Sequence, residues 1–355
     1  MKYALIGCGR VSGSHIGAAL QNGLEIAALC DIDPIAASAK AKQFDLPDTV
    51  KIYTDHREML RAERPELAAI ATYSGTHADL AVDCINAGCH VIIEKPVALS
   101  LRDADRIIAA EKAAGVKVCA NHQNRFNEAV QQMRGAMRDG RFGKLLYGTT
   151  SIRWARGDDY YGSADWRGTW AQDGGALMNQ CIHAIDLLRW MMGGEITEVT
   201  GFTDNQLHPC IEAEDFGIAL LKFANGSYGM IDGTVNMFGG DYEETLTVFG
   251  SAGLAKIGGT SVNKICDWRF ADGAESESRA KTLIEENPPN VYGFGHTSLY
   301  ADMLEAIRDD RRPYVTSEAG RRALETVLAI YLSAKEGRAV KLPLGDCSTL
   351  DFAEK

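Results

Sequence analysis

Long apolar segments are absent from this sequence. No window of it reaches about 18 consecutive apolar residues, so it predicts no membrane-spanning helix. The start, Met1-Lys2-Tyr3, lacks an apolar stretch followed by a small-residue cleavage site, so we expect no secretory signal. The nine cysteines are scattered, and none form a Cys-x-x-Cys pair or a zinc-ligand cluster with histidine. These absences predict a cytoplasmic protein with reduced thiols and no metal site.

Positive charge is in the minority, with 37 Lys and Arg against 48 Asp and Glu and a formal net charge of -11. Such a balance repels polyanions, so nucleic acid is not an expected partner, and an anionic substrate needs a local cluster of arginines. A composition of 46% hydrophobic and 24% charged residues is typical of globular proteins and excludes a disordered or fibrous chain. At about 150 residues per domain, the 355 residues predict two domains.

The pattern of apolar residues changes near residue 121. Up to residue 120, short apolar runs such as Tyr3 to Ile6 and Glu25 to Cys30 alternate with helical patterns, which indicates βαβ units and a parallel sheet. After Asn121 the runs become rich in aromatic and β-branched residues, and Asn225-Gly226 lies between two of them as a hairpin signal. We therefore predict an α/β domain over 1–120 and an α+β domain with a largely antiparallel sheet over 121–355.

A glycine-rich turn, Gly7-Cys8-Gly9-Arg10-Val11-Ser12, follows the first predicted strand. In dinucleotide-binding (Rossmann) domains the first glycine permits the tight turn and the second lets a pyrophosphate approach the backbone. The third position requires a small residue for helix packing, and Ser12 is a mild departure from glycine there. Asp31 ends the second predicted strand, where a carboxylate binds the adenosine ribose hydroxyls and repels a 2′-phosphate. NAD is therefore the predicted cofactor, against the alternative of an ordinary turn.

Glu94-Lys95-Pro96 follows another predicted buried strand, at the carboxyl end where open α/β sheets bind their ligands. An ammonium group at Lys95 is placed to hydrogen-bond a substrate hydroxyl or carbonyl. Taken alone, a solvated lysine paired with Glu94 explains the pattern as well.

A second candidate group lies in a predicted helix from Asn179 to Met192, preceded by Gly174-Gly175. Asn179 and His183 are four residues apart and share a helix face, and Asp186 is placed to orient the His183 ring. An imidazole suits removal of a hydroxyl proton as hydride departs. Asn and His form a poor zinc pair, so a metal site is not expected, while a structural histidine remains the alternative.

The glycine-rich turn, Glu94-Lys95-Pro96 and the helix with His183 resemble, in order and spacing, the glucose–fructose oxidoreductase/inositol dehydrogenase (Gfo/Idh/MocA) family over essentially the whole chain. The resemblance implies a Rossmann domain, a C-terminal domain with an open-faced sheet, and a nicotinamide cofactor at their junction. It also implies that Lys95 and His183 lie beside the reacting carbon. In this family the position of Asn179 often holds aspartate, so the pair Lys95 and His183 takes more weight here.

Three longer segments resemble a subgroup, the UDP-N-acetylglucosaminuronate 3-dehydrogenases. They are Asn121 to Asn127, Trp166 to Trp170 with Met178-Asn179-Gln180, and Asn290 to His296. The subgroup implies oxidation of the sugar's C3 hydroxyl to a ketone during surface polysaccharide biosynthesis. Because a UDP-sugar acid carries a diphosphate and a carboxylate, arginines and aromatic side chains are the expected ligands. The expected substrate-binding residues are Arg125, Arg153, Arg156, Trp166, Arg167, Asn179 and His183. The aromatic residues expected to cover the uracil or the sugar are Trp154, Tyr160, Tyr161, Trp166 and Trp170.

The expected cofactor-binding residues are Gly7, Gly9, Arg10, Val11, Asp31, Ile32, Thr72, His77, Glu94, Lys95 and Gln123. Two alternatives stay open: a dehydrogenase of inositol or another free sugar, and a non-catalytic NAD(H) sensor, against which the intact Lys95 and His183 count. Family members commonly form tetramers through the open sheet face, and some reoxidise bound NADH with 2-oxoglutarate. The sequence does not decide whether this chain does either.

Overall fold

The computed structural model describes residues 1–271, 273, 293 and 295–353, and the chain divides into two compact units. The first comprises Met1–Gln123 and Gly295–Arg321, and the second comprises Asn124–Phe294 and Arg322–Lys355. The sequence-based ranges 1–120 and 121–355 were continuous, whereas Gly295–Arg321 belongs to the first unit. One reason is a hydrogen bond from Asn22 Nδ2 to the carbonyl of Thr297, 3.0 Å long, which ties that segment to the first helix.

The first unit contains a six-stranded sheet in which every pair of neighbours is parallel. Its strands, in chain order, are β1 Lys2–Ile6, β2 Glu25–Cys30, β3 Lys51–Tyr53, β4 Leu67–Ile70, β5 His90–Ile93 and β6 Val118–Ala120. They are arranged as β3-β2-β1-β4-β5-β6, the order of Rossmann domains, which confirms the predicted parallel sheet. The helices before residue 120 are α1 Ser12–Gln21, α2 Pro34–Gln43, α3 His56–Glu63, α4 His77–Asn86 and α5 Leu101–Ala114.

Local sequence explains where these helices begin and end. Ser100 caps α5 by accepting the Asp103 N–H, and Gly115 ends it with a left-handed φ of 68° that glycine adopts without strain. The central strands β1, β4 and β5 are almost wholly buried, as expected for a parallel sheet covered on both faces.

The second unit contains an eight-stranded sheet in the order β13-β12-β11-β7-β10-β9-β8-β14. Its strands are β7 Leu145–Arg153, β8 Ile196–Asp204, β9 Phe216–Phe223, β10 Tyr228–Thr234, β11 Glu243–Gly250, β12 Gly253–Gly258, β13 Lys264–Phe270 and β14 Val340–Lys341. Only β7 and β10 run parallel among these neighbours, so the predicted, mostly antiparallel sheet is confirmed. The remaining helices in the described residues are α6 Glu128–Arg138, α7 Asp158–Tyr161, α8 Ala176–Asn179, α9 Ile182–Met191, α10 Gly295–Arg308 and α11 Ser317–Glu336. Of these, α10 belongs to the first unit.

Helices α8 and α9 cover one face of this sheet closely. A Cβ on Gly148 of β7 would lie 2.6 Å from Met192 Sδ, and one on Gly217 of β9 would lie 2.5 Å from Leu177 Cδ1. Glycine in these strands therefore lets the helices approach the backbone.

The opposite face of the sheet is open and apolar. Side chains on neighbouring strands point outward there, and they are Phe202, Ile218, Leu220, Tyr228 and Met230. Leu220 of β9 is 61% exposed and lies directly opposite Met230 of β10 in the strand register. This is the open-faced sheet that the family resemblance implied.

Among the described residues, no helix combines the length and the apolar character that crossing a membrane requires.

Glu244 on β11 provides a pH-dependent test of the fold. Burial raises the pKa of this carboxyl to about 8, although a hydrogen bond from Asn124 works in the opposite direction. Between its ordinary pKa of 4.5 and about 8, the folded chain keeps a proton that the unfolded chain has lost. The unfolding free energy therefore falls as pH rises through this window and levels off above it.

We predict that in Glu244→Gln, whose side chain cannot titrate, the unfolding free energy falls less steeply with pH, by up to about 1 kcal/mol per pH unit. Urea unfolding at several pH values across the window measures it. An unchanged pH dependence in the variant would contradict a buried, protonated Glu244.

Candidate active site

The glycine-rich turn connects β1 to α1 and requires glycine at its first position. Gly7 has a φ of +96°, and a Cβ there would lie 2.5 Å from the carbonyl carbon of Ala71. Around Gly9, by contrast, an added Cβ would meet nothing within 4 Å, so its backbone is open to a ligand. Ser12, in the third position of the pattern, donates from Oγ to the Gly9 carbonyl at 2.6 Å and so stabilises the turn.

Asp31 lies directly after β2, beside this turn. Its two carboxylate oxygens accept the N–H groups of Cys8, at 2.6 Å, and Asp33, at 2.9 Å, so its position is fixed before any ribose binds. Ile32 is 88% exposed and Arg10 is also exposed, while Val11 is half-buried at the start of α1. The arrangement suits the adenosine end of a dinucleotide, with a carboxylate where NADP carries a phosphate.

His77 connects the ends of β4 and β5. Its Nδ1 lies 2.7 Å from the carbonyl oxygen of Pro96, and its Nε2 lies 3.1 Å from that of Thr72. Burial lowers the pKa of His77, and this outweighs the two carbonyl contacts that would raise it. His77 therefore holds the loop after β4 against the turn after Lys95, while Thr72 also shares a 2.8 Å hydrogen bond with Thr76. Gln123, another expected cofactor residue, is 2% exposed near the end of the same unit's first segment.

Glu94 and Lys95 follow β5, as the sequence predicts. Glu94 is 6% exposed, and its carboxylate accepts hydrogen bonds from His15 Nε2 at 3.0 Å, from Asn121 Nδ2 and from the Lys95 N–H at 3.1 Å. Burial raises the pKa of Glu94, but hydrogen bonds involving His15 and His296 outweigh it and lower this pKa well below the ordinary range. Glu94 is therefore an ionised group, and it holds the backbone of the half-buried Lys95 by accepting its N–H.

The predicted continuous helix around Asn179 and His183 is instead two helices. α8 ends at Asn179 and α9 begins at Ile182, because the Cys181 N–H bonds to the carbonyl of Ala176, five residues back. His183 lies in the first turn of α9 and is 9% exposed. The four-residue spacing therefore does not place both side chains on the face of one helix.

Glu214, which the sequence analysis did not identify, supports the start of α8. Its carboxyl oxygens accept the N–H groups of Ala176, at 2.6 Å, and Leu177, at 2.8 Å, as well as the Tyr331 hydroxyl at 2.8 Å. Burial raises the pKa of Glu214 to about 8, although these hydrogen bonds lower it. A side chain on Gly175 would collide with this carboxyl, which explains the second glycine before the helix.

Several of the predicted substrate-binding residues form a hydrogen-bonded cluster around Tyr160. Its hydroxyl accepts hydrogen bonds from Arg167 Nη1 at 2.6 Å and Gln180 Nε2 at 2.9 Å, and Arg156 Nε donates to Gln180 Oε1 at 3.0 Å. Gln180 also bonds to Asn179 Oδ1, so the cluster reaches the residue four positions before His183. The guanidinium carbon of Arg167 lies 4.2 Å from the centre of the Tyr160 ring.

Three of the four predicted substrate arginines are paired with carboxylates. Arg125 is buried and bonds to both oxygens of Asp186, at 2.7 and 2.6 Å. Arg153 Nη1 bonds to Glu243 at 2.7 Å and its Nε bonds to Asp232 at 2.9 Å, across β7, β10 and β11.

Arg156 bonds to Asp241 at 2.8 Å. Within the described part of the chain, Arg167 has only neutral hydrogen-bond partners, the Ser163 and Tyr160 hydroxyls.

These contacts bear on two expectations. The buried Arg125 guanidinium pairs with Asp186 within the second unit, and its expected contact with a substrate stays a prediction. The two Asp186 oxygens accept hydrogen bonds from Arg125, and the suggested orientation of His183 by Asp186 stays a prediction. Because a bidentate pair of this kind depends on two residues 61 positions apart, their local sequences do not reveal it.

The predicted aromatic ligands fall into two groups. Trp154, Tyr161 and Trp170 are buried, and Trp170 packs on Tyr331 with ring centres 5.2 Å apart, which is typical of a core. Tyr160 and Trp166 are half-buried and remain accessible to a ligand. In the third subgroup segment, residues 290–292 and 294 lie outside the described residues.

Comparison with known proteins agrees with this architecture. Residues 1–122 match the family described as "Oxidoreductase family, NAD-binding Rossmann fold", and residues 130–256 match the "GFO/IDH/MocA C-terminal domain". The chain belongs to the Gfo/Idh/MocA oxidoreductase family. NAD is its cofactor.

Two solved structures are similar over nearly the whole chain. The WlbA dehydrogenase from Bordetella pertussis, in complex with NADH and UDP-GlcNAcA, is 33% identical with a TM-score of 0.85, covering 97% of this chain and 99% of that one. The WlbA dehydrogenase from Chromobacterium violaceum, with the same two ligands, is 32% identical with a TM-score of 0.87, covering 97% and 96%.

A curated relative, the D-apiose dehydrogenase of Paraburkholderia graminis, is 28% identical over 96% of this chain and 89% of its own length. The family and these relatives identify an NAD-dependent, sugar-type dehydrogenase.

Proposed function

We propose that the chain oxidises the C3 hydroxyl of UDP-N-acetylglucosaminuronic acid to a ketone and transfers the hydride to NAD, during biosynthesis of a surface polysaccharide. The observation that carries this proposal is the Arg167 guanidinium, which is held by neutral hydroxyls beside Tyr160. A cation whose charge is not neutralised by a carboxylate suits a diphosphate or a sugar carboxylate. The WlbA structures with bound UDP-GlcNAcA support the same substrate class.

His183 is the proposed base, and Lys95 hydrogen-bonds and polarises the same substrate oxygen. When bound, NAD accepts the hydride, so the residues of the chain supply position and charge. The ionised Glu94 and the carbonyl contact of His77 hold the backbone on either side of Lys95. In the second unit, Glu214 fixes the start of α8, shortly before His183. The roles of His183 and Lys95 are interchangeable in this proposal, since either side chain can accept the hydroxyl proton.

The alternative substrate is a free sugar or inositol, because curated relatives include the myo-inositol 2-dehydrogenase of Thermotoga maritima, 25% identical over 96% of this chain and 98% of its own length. A neutral polyol needs no cation, and the Arg167–Tyr160 arrangement therefore favours the nucleotide sugar.

We predict that His183→Asn lowers kcat by about 100- to 10,000-fold, because the base is lost, while the affinity for NAD stays near that of the parent chain. Stopped-flow NADH formation and fluorescence titration with NADH measure the two quantities. His208→Asn is the matched control, since His208 is also buried in the second unit but pairs with Asp215. Unchanged turnover in His183→Asn would remove its role as the base.

Replacing Arg167 by methionine tests the substrate class. We predict a KM for the UDP-sugar acid about 10- to 100-fold higher, because a charged hydrogen bond is lost, with little change for NAD. Arg269→Met is the control, since Arg269 on β13 is exposed and pairs with Asp267. Equal KM values in Arg167→Met and the parent chain would contradict contact of Arg167 with the substrate.

We also propose that the chain forms a homotetramer through the open face of the second sheet. Leu220, Met230 and Phe202 form an apolar surface there, and such surfaces are typical of subunit interfaces. Leu220→Asp should shift the mass measured by light scattering towards smaller species, and a monomeric parent chain would contradict the proposal.

2-Oxoglutarate is the proposed acceptor that reoxidises retained NADH. Adding it to the NADH-bound protein should remove the NADH absorbance and yield a 2-hydroxy acid. Persistence of the NADH signal would exclude this step.

A further inference from the structure

A chain of hydrogen-bonded, buried polar side chains ends at Glu94, the residue before Lys95, and lies entirely within the first unit. Its members are Tyr3, His15, Glu94, Asn121 and Tyr300, and each is at most 6% exposed. They come from β1, α1, the ends of β5 and β6, and α10. The proposed reaction uses none of them directly, and buried polar groups in such number need a defined arrangement.

The direction of the hydrogen bonds follows from the carboxylate at one end. Glu94 is ionised and only accepts, so His15 Nε2, 3.0 Å away, carries the proton of that contact. In a neutral ring His15 Nδ1 then accepts from the Tyr300 hydroxyl at 2.8 Å, and Tyr300 accepts in turn from the Tyr3 hydroxyl at 2.8 Å. With this tautomer of a neutral His15 ring, every hydrogen bond in the chain of side chains points towards Glu94.

Glu94 also receives donors from two other directions. Asn121 donates from Nδ2 to Glu94 Oε1, and the same nitrogen lies 3.1 Å from His296 Nε2. The Lys95 N–H donates to Glu94 Oε2 at 3.1 Å. One carboxylate therefore links α1 and the end of β6 to the backbone of the turn that carries Lys95.

A metal ion is the competing explanation, because ligand atoms of His15, Glu94 and His296 all lie within 4.8 Å of one another. The amide nitrogen of Asn121 contacts both Glu94 Oε1 and His296 Nε2, so these two ligand atoms already share a hydrogen-bond donor. The His15–Glu94 contact has the length of a direct hydrogen bond, and that proton would be lost to a metal. The contacts among these side chains therefore fit a hydrogen-bond network better than a metal site.

We propose that His15 is a positioning residue for Lys95 and that it acts through Glu94. His15 lies three residues after Ser12 in α1, so the same helix begins at the glycine-rich turn and supports the lysine turn. Loss of its donor leaves Glu94 with fewer hydrogen bonds in a buried site and releases the Lys95 backbone. The consequence for catalysis rests on the proposed function, in which Lys95 polarises the substrate hydroxyl.

The first experiment compares His15→Leu with His15→Gln. Leucine removes both ring contacts, whereas the amide of glutamine reaches the place of Nε2 and donates to Glu94. We expect His15→Leu to lower kcat by about 10- to 100-fold, as small displacements of a reacting group do, with the NADH dissociation constant changed less than threefold. His15→Gln should recover most of kcat, and Tyr300→Phe, which removes only the next hydrogen bond, should cost less than His15→Leu.

The second experiment needs no sugar substrate, so it separates this proposal from the proposed function. Brief acetylation of surface amines followed by mass spectrometry measures the reactivity of Lys95 in the NADH-bound protein. We expect a several-fold change in labelling of Lys95 in His15→Leu and a value near the parent chain in His15→Gln. His90→Gln is the control, because His90 lies at the opposite end of β5 and accepts the Lys117 N–H at 2.9 Å.

Three results would overturn the proposal. One is equal Lys95 labelling in His15→Leu and the parent chain. Another is a parallel loss of kcat and NADH affinity in His15→Leu and His15→Gln, which would indicate a structural role alone. The third is a stoichiometric metal in the purified protein whose removal reproduces the effect of His15→Leu.

Discussion

The buried carboxylate of Glu94 is the constraint around which the first unit is organised. An ionised carboxylate at 6% exposure is stable only when donors surround it, and these come from helix α1, from the end of β6 and from the following peptide. The donors in turn fix the helix that begins at the cofactor turn and the loop that carries Lys95. Parallel strands bring these loops to one edge of the sheet, and the carboxylate determines how they are arranged there.

A second buried carboxyl has a comparable role in the other unit. Glu214 accepts two backbone N–H groups at the start of α8, while Tyr331 of α11 holds it from the other side. Gly175, immediately before α8, makes room for this carboxyl, so the short helix that ends at Asn179 has little freedom. Both units therefore use one buried acid to fix a segment that carries candidate catalytic or substrate-binding residues.

Patterns confined to a few neighbouring residues could be predicted from the sequence. Gly7 adopts the turn conformation that favours glycine, Asp31 directly follows β2, and Lys95 lies two residues after the end of β5, as expected. The hairpin at Asn225-Gly226 joins β9 and β10 as predicted. Periodicity reveals such features because the cause lies within a single strand, helix or turn.

What the sequence did not reveal are contacts between distant positions. His15 bonds to Tyr300 across 285 positions, and Arg125 bonds to Asp186 across 61. The sequence does not distinguish an arginine that pairs with a buried carboxylate from one that binds a substrate. The break between α8 and α9 is also hidden, because it arises from a hydrogen bond that spans five residues rather than four.

The most direct measurement of the proposed activity is incubation of the parent chain with NAD and UDP-N-acetylglucosaminuronic acid, following NADH by absorbance and the sugar by carbon NMR. We predict NADH formation together with a new ketone signal at C3 of the hexose. NADH formation from myo-inositol or another free sugar, with none from the UDP-sugar acid, would contradict it.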